Sequence, residues 1–210
     1  PVPGARLIAL SVARQALGAA THRWWPRSGS NDARAALARQ VATIDSTLGR
    51  IYHLTQRPHH TLYSILRRHN LLAPHPACAE QMGAHAGMMY LCTMLGRHDW
   101  ADRHAARLSE LHRRLQDPLA YADANLTVAL AYMGQARWQP CEQRGLEAEQ
   151  IFHRLGERQG RMVMLAILAN SAELHGAFER AAQLWTLLDQ LAKEVGDQVG
   201  QCWSAGGLSM

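Results

Sequence analysis

Twelve histidines in a 210-residue chain are the first reason to look for metal or acid–base chemistry. His59 and His60 are adjacent, and His98, His104 and His112 follow one another along one stretch. Their spacing argues against a metal centre: there is no HExxH, no two histidines stand four residues apart, and a zinc site takes three or four converging ligands. His98 and Asp102 are four apart and share a helix face, but two weak ligands do not hold a metal. No metal and no cofactor is expected, and the histidines read as solvated groups or neighbours of helix ends.

The other reactive side chains point the same way. Cys78, Cys92, Cys141 and Cys202 lie far apart, without a CxxC pair or an activating cluster, and read as reduced core thiols rather than nucleophiles. Asp99 with Asp102, and Glu147 with Glu149, read as carboxylates on exposed helix faces and first turns, where they complement the helix dipole. No phosphate-binding GxxxxGK is present. No catalytic residue is assigned, and this segment reads as a non-enzyme.

Two groups remain as candidates for binding. Arg103, Arg107 and Arg114, with Arg113 beside them, recur at helical spacing, which suits a solvated face or the docking of an acidic partner; Arg67-Arg68-His69 is read alike. Asp123, Asn125 and Thr127, then Asn170 and Glu173, are polar residues inside otherwise apolar helices. Each needs a hydrogen-bonding partner, either a neighbouring backbone group or a ligand.

Composition bounds the partners. A formal charge of +5 is spread along the chain and is small for a phosphate-tracking surface, so nucleic acid is not expected. No apolar run approaches the ~20 residues a bilayer crossing requires, and no secretory signal opens the chain, so no membrane is expected and the cytoplasm is the expected location. Leu, Ala, Arg, Gln and Glu are abundant and only two Phe occur, which favours helix nearly throughout. The chain starts at Pro1 and ends at Met210 just after Gly206-Gly207, and is expected to be a piece of something larger.

Helices must position these residues, and their pattern repeats. Leu115-Gln116-Asp117, Leu155-Gly156-Glu157 and Val195-Gly196-Asp197 are the same phrase at forty-residue intervals. Residues 1–31 hold an amphipathic stretch and a linker broken by Pro26 and by Ser28 to Asn31, a possible cap. Residues 32–76 hold a first, irregular hairpin, a helix capped by Asp32 and another from His59 to Asn70. Residues 77–210 hold regular repeats (77–118, 119–160, 161–200) and a truncated final helix (201–210). The predicted helices are 77–95, 99–115, 119–134, 138–155, 161–175 and 178–195. Each hairpin turn is read as a Gly followed by an aromatic plug between helices: Gly96 with Trp100, Gly134 with Trp138, Gly176 with Phe178. Trp24, Trp25, Trp185 and Trp203 are read as core or inter-repeat plugs, and Met82, Met88, Met89, Met94, Met162 and Met164 as gap fillers. The unit LANSAELHGAFERAAQLW follows the tetratricopeptide pattern, with Leu168, Ala169, Ala172, Gly176, Phe178 and Ala181 in place. The expected fold is all-α, a tetratricopeptide-like superhelix or solenoid of antiparallel helix pairs.

Several strings together resemble a known family: TLYSILRRHNLLAPHPACAEQMGAHAGMM at 61–89, RLGERQG at 154–160, GAFERAAQLW at 176–185, VGDQVGQCW at 195–203 and HRWWPR at 22–27. They resemble the C-terminal helical-repeat region of bacterial multidomain signalling proteins, in which a class III adenylate or guanylate cyclase or a protein kinase precedes an AAA-type ATPase. The resemblance implies catalytic parts upstream of Pro1 and a coupling role for this region, with a protein, a peptide or the parent's own catalytic domains as partner. The alternative is a small-molecule effector-sensing repeat domain of a transcriptional or signalling regulator.

Overall fold

The computed structural model describes residues 5–22 and 32–209, and among the described residues there are ten helices and no strand. They are α1 (Ala5–His22), α2 (Asp32–Leu54), α3 (Pro58–Leu72), α4 (Ala79–Met94), α5 (His98–Leu115), α6 (Pro118–Gly134), α7 (Trp138–Leu155), α8 (Arg158–Leu174), α9 (Phe178–Val195) and α10 (Gln198–Leu208). The expected break at Pro26 and Ser28 to Asn31, with Trp24 and Trp25, lies outside the described residues. The chain divides into two compact units, Pro1–Gln116 and Asp117–Met210. In the first, α2 packs on α3, α3 on α4 and α4 on α5, while α1 lies on α3 and α2 also meets α4. In the second, each helix from α6 to α10 packs on the next, and α8 additionally meets α6 and α10.

Backbone closures at regular intervals end these helices. Positive φ occurs at Gln56, Gly96, Gln116, Ala136, Gly156, Gly176 and Gly196. Each stands twenty residues after the one before, except that position 76 is skipped, where Pro76 has its φ held negative by its ring. A left-handed residue reverses the chain just past a helix, and the following N–H then reaches back to a carbonyl of the last turn. That bond recurs as Arg57 N to Tyr52 O (2.8 Å), Arg97 N to Cys92 O (2.8 Å), Arg137 N to Tyr132 O (3.0 Å), Glu157 N to Phe152 O (2.9 Å), Ala177 N to Ala172 O (2.8 Å) and Asp197 N to Ala192 O (2.9 Å). The next helix starts at once: Asp117 accepts from Ala120 N at 3.0 Å, and Asp197 from Val199 N at 2.9 Å, supplying N-caps. The hairpin read as irregular from its sequence, α2 with α3, shares this register through Gln56.

Several expectations are corrected. The α6–α7 turn closes at Ala136, and Gly134 is the last residue of α6. The matching turn positions are therefore 96, 136 and 176, and the residues opening the next helices are His98, Trp138 and Phe178. Two of the three aromatics do not plug gaps: Phe178 is 70% exposed and Trp100 is 46% exposed, with the Arg97 guanidinium 4.3 Å from its ring centre. Trp138, by contrast, is half-buried and stacks on His175 with ring centres 5.5 Å apart. Trp203 and Met94 are also exposed, whereas Trp185, Met82, Met88, Met89, Met162 and Met164 are buried. Cys78, Cys92 and Cys141 are buried free thiols, but Cys202 is exposed. Asp32 lies in the first turn of α2 rather than before it.

A residue with a Cβ in the left-handed region carries roughly 1 kcal/mol of strain that glycine lacks. Ala136→Gly should therefore raise the midpoint of thermal unfolding, and Gly156→Ala should lower it, each by an amount worth about 1 kcal/mol. Differential scanning calorimetry checks both; a lowered midpoint for Ala136→Gly would contradict the turn geometry.

Candidate functional site

One face of the first unit gathers imidazoles from three helices. His69 lies in the last turn of α3, His85 in the middle of α4, and His104 on α5. Their ring centres are 5.3 Å (69–85), 5.6 Å (69–104) and 5.2 Å (85–104) apart. His85 Nδ1 and His104 Nδ1 are 2.9 Å apart, so one ring carries its proton on Nδ1 and the other on Nε2. Burial foremost, and then the neighbouring His69, His104 and Arg107, push the His85 pKa down to about 3. Burial lowers that of His104 as well. With both pKa values lowered from 6.5, both rings are neutral at pH 7, and one donates its Nδ1–H to the other.

Beside this cluster is a cavity of about 260 Å3. Its polar wall is His69, His75, Gln81, His85, Arg107 and Arg114, completed by Leu72, Ala73, Ala77 and Ala84. The cavity exists where the closure at position 76 is missing. The α3–α4 connection runs from Ala73 to Cys78, longer than the two- or three-residue turns that join the other helices from α2 onward. Gln81 pins it, donating from Nε2 to Leu72 O at 3.0 Å and His75 O at 3.2 Å. His75 Nδ1 is buried there without a hydrogen-bond partner. No acidic side chain lines the space. Among the described residues, no group of three or more His, Cys, Asp or Glu side chains is placed to hold a metal ion. The His85–His104 contact is at hydrogen-bonding distance, nitrogen to nitrogen, which leaves no room for a cation between the rings.

The register explains why His85 is there. Asp45, His85 and Asn125 stand forty residues apart on the first helices of three successive hairpins, and the residues twenty-two further on are Arg67, Arg107 and Glu147. Asp45, 3% exposed, takes a hydrogen bond from Arg67 Nη1 at 3.0 Å, yet burial outweighs the nearby Arg67 and Arg68 and raises its carboxyl pKa. Arg107 is the corresponding cation near His85. In the third hairpin Tyr121, one turn before Asn125, donates its hydroxyl to Glu147 Oε2 at 3.0 Å and accepts from Arg144.

The residues singled out from the sequence are not brought together. Asn125 is wholly buried, its Nδ2 donating to Tyr121 O at 3.0 Å and its Oδ1 without a partner, whereas Asp123 on the same helix is exposed and Thr127 half-buried. Asn170 is exposed and donates to Ala166 O at 2.8 Å. Glu173 accepts from Trp185 Nε1 at 2.6 Å, a tie between α8 and α9. Arg103 is exposed, and Arg107 both lines the cavity and meets Glu110 at 2.5 Å. The histidine cluster escaped sequence reasoning because its members lie on different helices. The available signal was position 85, a polar residue in an apolar helix, in register with Asp45 and Asn125.

The fold and site define an all-helical chain with a basic, imidazole-walled cavity in its first unit. No family model matches the chain, and no curated protein matches it.

Because the folded state holds His85 neutral, it binds fewer protons than the unfolded chain between the ordinary histidine value of 6.5 and about 3. Stability is then fully present above pH 6.5 and falls as the pH drops through that window. In His85→Leu the dependence should be shallower by up to one proton, about 1.4 kcal/mol per pH unit. Urea unfolding at a series of pH values measures it, and identical slopes for the two proteins would refute the buried neutral imidazole.

Proposed function

We propose that this chain is a tetratricopeptide-like solenoid of antiparallel helix pairs and a non-catalytic recognition region of a larger cytoplasmic signalling protein, an ATPase or nucleotide cyclase. It engages a protein or peptide, or the parent's own catalytic domains. The observation that carries this reading is the twenty-residue spacing of the left-handed closures, which makes each forty-residue hairpin one interchangeable unit. Stacked hairpins of this kind offer their first helices as a recognition surface. Of the polar residues singled out on α6 and α8, Asp123 and Asn170 are exposed and Thr127 is half-buried. Asn125 and Glu173 serve the packing instead. Among the described residues, no helix is long and apolar enough to cross a membrane.

A second reading, small-molecule effector sensing, is favoured by the cavity between α3, α4 and α5. A concave space on which a few polar groups converge is the usual form of a ligand pocket. A thermal-shift panel of neutral and charged metabolites addresses it directly, since a ligand at a hundredfold excess over its dissociation constant adds about 2.7 kcal/mol of stability. A panel that leaves the melting temperature unmoved would remove this reading.

For the leading reading, Asp123→Ala combined with Asn170→Ala should leave the helical circular dichroism intact and reduce recovery of a captured protein partner about tenfold, a loss of about 1.4 kcal/mol. Quantitative affinity capture from a native lysate measures the change, and full recovery with the double variant would overturn the assignment of this surface.

A further inference from the structure

We infer that the cavity of the first unit is a binding site for a small metabolite bearing oxyanion groups, phosphate or carboxylate, held between Arg107 and Arg114 of α5 and the imidazole-lined wall from α3, α4 and their connection. The inference rests on the effector-sensing reading and names the chemistry of its ligand.

Four observations converge on it. The polar wall contains two guanidiniums, three imidazoles and the Gln81 amide, and no carboxylate. Two fixed positive charges facing one half-buried space repel each other and disfavour any further cation; an anion placed there reverses both effects. Guanidinium is also the group whose donor fork matches phosphate and carboxylate oxygens. Second, Arg107 and Arg114 both line the cavity from positions seven residues, about two helical turns or roughly 10 Å, apart on α5, a separation that suits a ligand with two anionic groups or one such group and a polar tail. Third, the competing partner is weak. The ion pair of Arg107 with Glu110 joins two side chains that are nearly half exposed, and such surface pairs exchange readily for a better acceptor. Fourth, His75 Nδ1 is buried in the wall with no partner, a polar atom that a bound oxygen or hydroxyl satisfies. The volume of about 260 Å3 suits a metabolite of a few carbon atoms rather than a nucleotide or a peptide.

The chemistry further predicts how the neutral imidazoles take part. Neutral His85 can offer an N–H to an oxygen in the cavity from Nε2, with His104 donating its Nδ1–H to His85 Nδ1. The recognition is thus built from two permanent charges and neutral donors such as His85 and the Gln81 amide.

The test is isothermal titration of the full chain with inorganic phosphate, glycerol 3-phosphate and citrate, at constant ionic strength set with sodium chloride. Saturable binding of at least one of them is expected. Arg107→Gln with Arg114→Gln should weaken it by about tenfold or more. Arg103→Gln with Arg113→Gln, which removes the same charge from exposed positions of the same helix outside the cavity wall, should leave it unchanged. The phosphate and citrate arms separate a phosphate-bearing from a carboxylate-bearing ligand. Equal losses in the two double variants would show attraction by net charge alone and overturn the proposal. Absence of saturation by all three anions would overturn it too, while a neutral metabolite that stabilises the chain in the thermal-shift panel would keep the effector-sensing reading standing without it.

Discussion

The left-handed residue that closes each helix is the constraint on which the rest of the structure depends. Helices α5, α7 and α9 are each eighteen residues long. Eighteen residues make about five full turns, so such a helix ends facing the way it began. A two- or three-residue closure then starts the next helix in an unchanged orientation. Twenty residues is therefore a length at which the chain can reverse without losing track of which face is buried. One inserted residue would rotate everything beyond it by about 100° and carry the apolar stripe away from its partner. The closures consequently tolerate unfavourable residues: Gln56, Gln116 and Ala136 hold positive φ despite their side chains, because the register is worth more than the local strain.

A kept register makes equivalent positions recur, and the residue placed at one of them sets what its hairpin does. On the first helix of each pair, position 45, 85, 125 or 165 points between helices. Asp45 there is a charged group tied to a guanidinium, a packing device. Asn125 uses a carbonyl of its own helix, and Leu165 is plain core. His85 differs because its surroundings are themselves imidazoles and a cation. With no carboxylate to keep it charged, burial and like charge together drive it to the neutral form. The same site that elsewhere locks two helices here borders an open space.

Much of the fold could be read before any coordinates, since helix and turn are local properties. The bounds expected for 138–155 and 178–195 coincide with α7 and α9, and the phrase at 115, 155 and 195 marks true closures. Errors arose where residue type was taken for geometry. Gly134 drew the turn two residues early because glycine usually supplies positive φ, yet Ala136 supplies it. Aromatics are usually buried, yet Trp100 and Phe178 are exposed. The histidine cluster was out of reach for a different reason. His69, His85 and His104 are sixteen and nineteen residues apart, and only the packing of α3, α4 and α5 brings them within 6 Å of each other. No spacing rule for a single helix registers that.

The skipped closure at Pro76 shows what happens when the backbone device is withdrawn. Without a left-handed residue between α3 and α4, the connection lengthens and no backbone bond of the usual kind fixes the angle between them. Side chains take over. Arg68 donates to Ser46 Oγ at 2.7 Å and to Gly83 O, joining α2, α3 and α4 at one buried guanidinium, and Gln81 secures the connection itself. Burial draws the Arg68 pKa down to about 10, so it keeps its charge, and Asp45 opposes that shift. Space for the guanidinium comes from α4: a Cβ on Gly87 would stand 3.0 Å from Arg68 Nη2, and one on Gly83 would stand 3.5 Å from Nη1. A buried charge with specific acceptors is a weak source of net stability but a strict one of geometry, because every alternative arrangement leaves it unpaired. The hairpin junction that lost its closure is therefore held by polar side chains, and the longer connection supplies Ala73, His75 and Ala77 to the cavity wall.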